Sequence, residues 1–389
     1  MKNNIDYNMC CGCGACVLKC PKRCIRLNQD ADGFWKAECN INECVGCGIC
    51  HDVCPISSKP KSTSPIKAYA AAVKKRDIYK MGSSGGIFPE IAVNILENGG
   101  YVWGCGYDDK TVPLHKEVHR LDDLDDLCRS KYVQSYTGGI YEKIKERIET
   151  EKSVLFCGTP CQVAGLKNYL GKDYDNLFLI DIVCHGVPSP KFFRENLDYI
   201  SDKHNKKISR YEFRLKSPKN KCYNYSYIFE DGETESGPYY KDAYFNAFYD
   251  MVDLNEVCYK CPFACGERMG DITIGDFEWG KKYHDSLKGF NEISSIIINT
   301  EKGNTMFERI SSDLQFEETK TEYIVEKNLN LVRPTVRPKS RDGFYAGIKA
   351  AGYKKWANAY YHSLDYYKKT PILKPLVKLK IMLNRILHK

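Results

Sequence analysis

No run in the 389 residues approaches the ~18 consecutive apolar residues of a membrane-spanning helix. The start, Met1-Lys2-Asn3-Asn4-Ile5-Asp6, passes into cysteines without the apolar segment of a secretory signal. Without export, disulfides are not expected, and a reducing cytoplasm is the expected location. Charge imbalance is slight. A net +8 is mild for this length, and no nucleic-acid partner is expected from it. Cysteine is absent after Cys265, and no internal repeat is present except one pair of cysteine motifs.

The sequence does have cysteine before that point, 20 in all. Eleven lie within Cys10–Cys54 and nine are spread from Cys105 to Cys265. Clustered cysteines in a reducing compartment read as metal ligands. Apolar residues make up 43%, which is ordinary for a globular chain, and the length suggests two or three domains. Residues 1–57 are too short and too poor in apolar runs to bury much core, so something covalent or metallic is expected to hold them together.

Two motifs in that segment have the same spacing: Cys10-x2-Cys13-x2-Cys16-x3-Cys20-Pro21 and Cys44-x2-Cys47-x2-Cys50-x3-Cys54-Pro55. In bacterial two-cluster ferredoxins the fourth cysteine of each run ligates the other cluster. One 4Fe-4S cluster is then expected on Cys10, Cys13, Cys16 and Cys54, and a second on Cys44, Cys47, Cys50 and Cys20. Gly12, Gly14, Gly46 and Gly48 let the backbone pass close to the sulfurs. Zinc, the other reading, usually takes four ligands in two pairs rather than two quartets. Cys11, Cys24 and Cys39 are left without a role. Two clusters in one small ferredoxin-like fold act as an electron wire.

The expected organisation is α+β or α/β. A ferredoxin-type domain at 1–57 precedes a linker at 58–67 and a larger α/β domain at 68–330, with parts 68–150 and 151–330. A basic tail follows at 331–389. Strands are predicted at Ala68–Lys74, Tyr101–Cys105, Ser153–Phe156, Leu177–Val183, Asp271–Asp276 and Ile293–Asn299. Helices are predicted at Ile87–Glu97, Thr137–Glu149, Val163–Leu170 and about Pro190–Ile200. This alternation indicates a largely parallel sheet. Cys157–Gln162 reads as a loop. Arg210–Lys216 and Tyr225–Glu230 read as antiparallel strands with a turn at Asp231-Gly232. From Tyr353 to Lys389 there are nine Lys/Arg against one acid, Asp365. Ile372, Leu373, Leu376, Val377, Leu379, Ile381, Met382 and Leu383 lie among these lysines. They suit either contact with an anionic membrane or a terminal helix packed on its own domain.

A second cysteine set is spread along the α/β part. Cys161 follows one strand, Cys184 follows another, and Cys258-Tyr259-Lys260-Cys261 is a CxxC. Ligand sites in open α/β sheets form at the C-terminal ends of strands, so these four can converge. Cys265 and Cys222 compete for the fourth position.

From about Ala68 to Asn299 the chain resembles the beta-subunit family of coenzyme F420 hydrogenases and dehydrogenases. The motifs are Ser83-Ser84-Gly85-Gly86, Ser130-Lys131-Tyr132, Gly158-Thr159-Pro160-Cys161-Gln162, Cys184-His185-Gly186-Val187-Pro188-Ser189, Cys258-x2-Cys261-Pro262-Phe263 and Gly270-Asp271-Ile272-Thr273-Ile274-Gly275-Asp276-Phe277. The resemblance implies an iron-sulfur flavoprotein oxidoreductase. It implies a third 4Fe-4S cluster on Cys161, Cys184, Cys258 and Cys261. It implies FAD lined by Ser83, Ser84, Gly85, Gly86, Lys131 and Tyr132, with Gly158, Thr159 and Pro160. Successive Ser/Gly amides opening a helix suit a pyrophosphate, although the loop is not G-x-G-x-x-G. Lys131 would neutralise phosphate or reduced flavin, and His185 would donate a proton or serve only as a loop residue. Arg268, Asp271 and Asp276 fall in the pattern of the bacterial members. Asp276 would orient a substrate or cap a turn. The expected partners are a ferredoxin-like or other redox protein and a small-molecule substrate, the deazaflavin coenzyme or another. The alternatives are a non-catalytic electron-relay subunit and a reductase in cell-envelope polysaccharide synthesis.

Overall fold

A computed structural model of the chain describes residues 7–108, 111–216 and 223–363, with 366 and 369. Cys222 and the apolar-basic stretch from Ile372 to Leu383 lie outside the described residues. Among the described residues no helix is long and apolar enough to cross a membrane. The chain divides into two compact units, Met1–Pro190 with Asn255–Val336, and Lys191–Leu254 with Arg337–Lys389.

In the first unit the N-terminal segment forms the antiparallel pair β1 (Ile25–Gln29) and β2 (Trp35–Cys39) and the short helices Ala15–Lys19 and Ile49–Asp52. The two cysteine motifs take one backbone path. Gly12 and Gly46 have φ of 75° and 69°, and Gly14 and Gly48 have 78° and 80°. Side-chained residues seldom adopt this left-handed geometry, so the glycines fix both loops around their sulfurs.

Eight strands form the main sheet. They are β3 (Lys67–Val73), β4 (Tyr101–Tyr107), β5 (Pro113–Val118), β6 (Val154–Gly158) and β7 (Leu177–Ile182), with β11 (Ile272–Asp276), β12 (Ser294–Ile298) and β13 (Leu314–Glu318) beyond the second unit's strands. The order is β13-β3-β12-β11-β7-β6-β4-β5. The sheet is mixed rather than largely parallel. The central pairs β4-β6, β6-β7 and β7-β11 are parallel, and the pairs on both flanks are antiparallel. The continuous apolar runs of β6 and β7 suit the centre, where both faces are covered. On one face the helix Ile87–Glu97 buries Ile87, Ile91 and Ile95 at four-residue spacing. On the other, Ile140, Ile144, Phe156, Val163 and Leu166 share a core with Cys13, Ala15 and Val53 of the N-terminal segment.

That junction is specific. Gln134 accepts from the Trp35 amide at 2.7 Å and donates to the Cys11 carbonyl at 3.2 Å. Thr137 donates to the Gly12 carbonyl at 3.1 Å, and Asn168 to the Ser58 carbonyl at 2.7 Å. The expected linker is docked as well. Thr63 exchanges two backbone hydrogen bonds with Arg268, and the Ile66 amide donates to the Ile298 carbonyl.

In the second unit β8 (Ile208–Glu212), β9 (Asn224–Phe229) and β10 (Thr234–Pro238) form an antiparallel sheet, with the Asp231-Gly232 turn joining the last two. The alternation at 208–238 packs Tyr211, Tyr225 and Tyr227 with Phe193 and Tyr244. Residues 341–361 lie within the expected basic tail. They form the helices Arg341–Ala351 and Tyr353–Tyr361, which bury Arg341, Tyr345, Tyr353 and Ala357. Aromatic spacing, unlike aliphatic spacing, hid this core role. Tyr353 donates to Asn196, itself bonded to Asp242, and Arg341 donates to the Leu254 carbonyl.

Candidate functional site

Three cavities in the first unit are each lined by four of the expected cysteines. The first holds Cys10, Cys13, Cys16 and Cys54. The second holds Cys20, Cys44, Cys47 and Cys50, of which Cys47 is exposed. The third holds Cys161, Cys184, Cys258 and Cys261. Cys11 and Ile56 line both the first and the third, so they form the wall between them.

Backbone amides already point at several of these sulfurs. Gly12 and Ala37 donate to Cys10 Sγ at 3.3 Å each, and Gly186 donates to Cys184 Sγ at 3.4 Å. Such bonds favour thiolate and tune the potential of a bound cluster. Burial works the other way. It pushes the Cys184 thiol up to about 12 and Cys261 to about 11, and Cys258 well above its usual range. Hydrogen bonding with Cys11 and then burial raise Cys161. Four neighbouring, half-buried thiols become thiolates together only when a cationic group takes their charge, and an iron-sulfur cluster or a soft metal ion does that.

The third cavity is assembled from neighbouring strands. Cys161 sits in the first turn of the helix Pro160–Leu170, directly after β6, and Cys184 follows β7. The predicted loop Cys157–Gln162 is therefore mostly regular structure. Cys157 and Gly158 complete β6, and the helix begins at Pro160 because Thr159 and Gln162 cap it reciprocally. Thr159 Oγ1 also touches Cys161 Sγ at 3.1 Å. Cys258 lies on the turn Glu256–Lys260, and Cys261 follows directly as its C-terminal cap. Cys265 is not among the lining residues. Its thiol points at the Glu267 and Pro262 carbonyls and receives Lys59 at 3.5 Å.

A buried carboxylate supports this cavity. Asp181 in β7 is fully buried and accepts from Arg268 Nη2 at 3.1 Å, from the Met269 and Gly270 amides at 3.0 and 3.1 Å, and from the Thr273 hydroxyl. Arg268, 1% exposed, lines the third cavity. Asp271 holds the next turn, accepting from the Leu179 amide and the Thr300 hydroxyl at 2.8 Å each. The Asp276 carbonyl accepts from Asn328. Sequence reading missed Asp181. Its signal was an acid inside the apolar run Leu177–Val183. His185 bonds Asn330 at 2.6 Å through Nδ1, and Asn330 lines the third cavity.

The glycine loop lies next to Ser130. Ser83 Oγ accepts from the Ser130 amide at 2.8 Å, which brings the loop beside Lys131 and Tyr132 in the chain. Within the loop, the Gly85 amide donates to Ser294 Oγ at 2.8 Å and Ser84 donates to the Ile293 carbonyl. Gly85 must be glycine, because a Cβ there would come within 2.4 Å of the Ala71 carbonyl. Lys131 donates to the Asp126 and Cys128 carbonyls at 2.8 and 2.7 Å. Gly158 packs between the Phe156 ring and Gln162. A polar chain then joins this end of the sheet to the third cavity. His115 contacts the Cys157 carbonyl at 3.2 Å and Ser135 at 2.9 Å. Gln162 donates to Ser135 at 2.9 Å and bonds Thr159 beside Cys161. Burial pushes His115 down to about 4, so it is neutral at pH 7.

Residues 151–323 match the family of the C-terminal part of the coenzyme F420 hydrogenase/dehydrogenase beta subunit. A chain in the structure "Xenon derivatization of the F420-reducing [NiFe] hydrogenase complex from Methanosarcina barkeri" is similar at 16% identity and a TM-score of 0.44. The match covers 80% of this chain and 94% of that one. No curated protein sequence matches. The similarity to the coenzyme F420 hydrogenase/dehydrogenase beta subunit thus extends over residues 151–323 of the chain.

Proposed function

We propose that the chain is an iron-sulfur oxidoreductase that carries three 4Fe-4S clusters and FAD and passes electrons between a redox protein and a small organic substrate. The supporting observation is that each of three separate cavities is lined by one of the four-thiol sets that the motif spacings and the family predict, with one further cysteine, Cys11 or Cys24, beside it. The second cavity, with exposed Cys47, is the port for the external ferredoxin-like protein. The first and third share the wall of Cys11 and Ile56, so they are consecutive in the wire.

FAD, when bound, would exchange single electrons with the clusters and a hydride with the substrate. Its holders would be Ser83, Ser84, Gly85, Gly86, Lys131, Tyr132 and the Gly158-Thr159-Pro160 turn. Ser83 links the first and second of these groups through Ser130. The family makes the deazaflavin coenzyme F420 the leading substrate. His185, oriented by Asn330, would hold a proton at Nε2, and Lys131 would place positive charge near the bound group.

One observation favours the relay reading, in which no flavin binds. The Gly85 amide is already bonded to Ser294, and Lys131 is already held by backbone carbonyls. Anaerobic purification separates the two readings. About twelve iron per chain with bound flavin supports the enzyme, and about twelve iron with no flavin after reconstitution leaves the relay. Cys258→Ser is expected to remove about four iron and spare about eight. Loss of about eight would contradict the ligand sets.

A further inference from the structure

Two thiols that the ferredoxin-type motifs do not use lie at the second cavity, Cys24 in its lining and Cys39 behind Cys24. Cys24 is buried in its wall. Its Sγ lies 3.5 Å from Cys20 Sγ and 3.9 Å from Cys39 Sγ. The sulfurs of Cys24, Cys39 and Cys44 all lie within 4.8 Å of one another. Among the described residues this is the one group of three or more His, Cys, Asp or Glu ligand atoms so gathered.

The backbone sets this placement. Ile25 pairs with Cys39 in the β1-β2 register, and the Asn40 amide donates to the Cys24 carbonyl at 2.8 Å. Cys39 thus ends β2 and Cys24 directly precedes β1, so the β1-β2 pair places both thiols outside the cysteine loops. Their spacing also has a chemical meaning. Around a tetrahedral ion with metal–sulfur bonds of about 2.3 Å, neighbouring sulfurs are about 3.8 Å apart. The Cys24–Cys20 and Cys24–Cys39 separations lie on either side of that value, while Cys20 stands outside the group of three that lies within 4.8 Å. In a 4Fe-4S cluster the four cysteine sulfurs sit on four different irons and stand farther apart.

We propose that Cys24, Cys39 and Cys44, with Cys20 beside Cys24 turning in as the fourth ligand, form a mononuclear tetrathiolate site for a soft divalent cation, Zn2+ being the fitting ion. The proposal rests on the reading that Cys20, Cys44, Cys47 and Cys50 hold the second cluster. Cys20 and Cys44 belong to both sets, so ion and cluster exclude one another. Four thiols release four protons and take up one ion, and no electron moves. An ion there keeps the β1-β2 end folded without a cluster and closes the exposed port of the wire. The same chain then exists in a conducting form and an ion-capped form.

The test uses the full chain, anaerobically purified. Cys47→Ser/Cys50→Ser cannot hold the second cluster and keeps all four proposed ligands. It is expected to carry about eight iron and to bind one equivalent of Co2+ with the intense sulfur-to-cobalt absorption of a tetrahedral thiolate site, displaced by Zn2+. Adding Cys24→Ala/Cys39→Ala to that variant is expected to weaken Zn2+ binding by more than about 100-fold, beyond what loss of an outer-shell partner does. The eight remaining iron show that the fold is intact. Cys24→Ala/Cys39→Ala alone is expected to keep about twelve iron. No Co2+ signal in the first variant, or undiminished Zn2+ binding in the combined one, overturns the proposal. So does a fall to about eight iron in the last, which would make Cys24 or Cys39 a cluster ligand. An otherwise native chain that never exceeds eight iron while the first variant still binds Co2+ would sink the second-cluster reading and leave the ion site standing.

Discussion

Asp181→Ala removes one carboxylate and strands four donors. The lost partners are Arg268 Nη2, the amides of Met269 and Gly270, and the Thr273 hydroxyl. Arg268 is 1% exposed, and its other bonds go to neutral groups such as the Ile182 carbonyl at 3.2 Å and Thr273 at 3.1 Å. Removing one partner of a buried ion pair costs about 3–5 kcal/mol, because the remaining charge has no compensation. At roughly 2–4 °C per kcal/mol, the midpoint of thermal unfolding should fall by about 10 °C. The damage is local to the chain that leads from Cys258 and Cys261 to Arg268, so iron should drop from about twelve to about eight per chain. The pair Asp181→Leu/Arg268→Met replaces both charges with apolar groups, and such replacements are often neutral. It should therefore recover most of the loss seen in Asp181→Ala. Differential scanning fluorimetry and iron analysis on anaerobic protein read both effects. A fall of less than about 3 °C for Asp181→Ala, corresponding to about 1 kcal/mol, would refute the argument. A double variant no better than the sum of the two single losses would refute it too.

His115 makes the fold sensitive to acid. Its folded value, about 4, lies below the ordinary 6.5, so the unfolded chain binds more protons between those values. Its contribution is present above pH 6.5 and is lost as pH falls through that window, by about 3 kcal/mol in all. His115→Gln should flatten the decline in melting temperature between pH 6.5 and 4, and parallel curves would refute this. Gly165→Ala should cost about four iron, because a Cβ there would stand 2.9 Å from both Cβ and Sγ of Cys13. An unchanged iron content would show that the helix can shift. Cys11→Ala should keep about twelve iron, since Cys11 lines two cavities as a wall and not as a ligand. A loss of iron would place it in one of the ligand sets.

What the sequence reveals here is set by distance along the chain. The cysteine quartets are legible because three sulfurs of each fall within seven residues, and the glycines between them impose the same φ twice. The helix Ile87–Glu97 is legible because its four-residue apolar spacing is local. The flanks of the sheet are not. β3 is an alanine-rich strand whose partners, β12 and β13, lie more than two hundred residues later in the chain, and nothing in its own residues selects antiparallel neighbours. The same distance hid the supports of the site. Gln134 and Thr137 are unremarkable polar residues until the fold places Trp35, Cys11 and Gly12 against them. Cys11 has no spacing signature, because its position as a wall depends on two cavities that come from segments about 150 residues apart in the chain. Three members of each N-terminal ligand set are thus expected from local spacing, whereas the third set and the order in which the cavities adjoin depend on long-range contacts. A substitution that spares every cysteine but moves Gln134 or Gly165 therefore acts first on the junction between the N-terminal segment and the sheet.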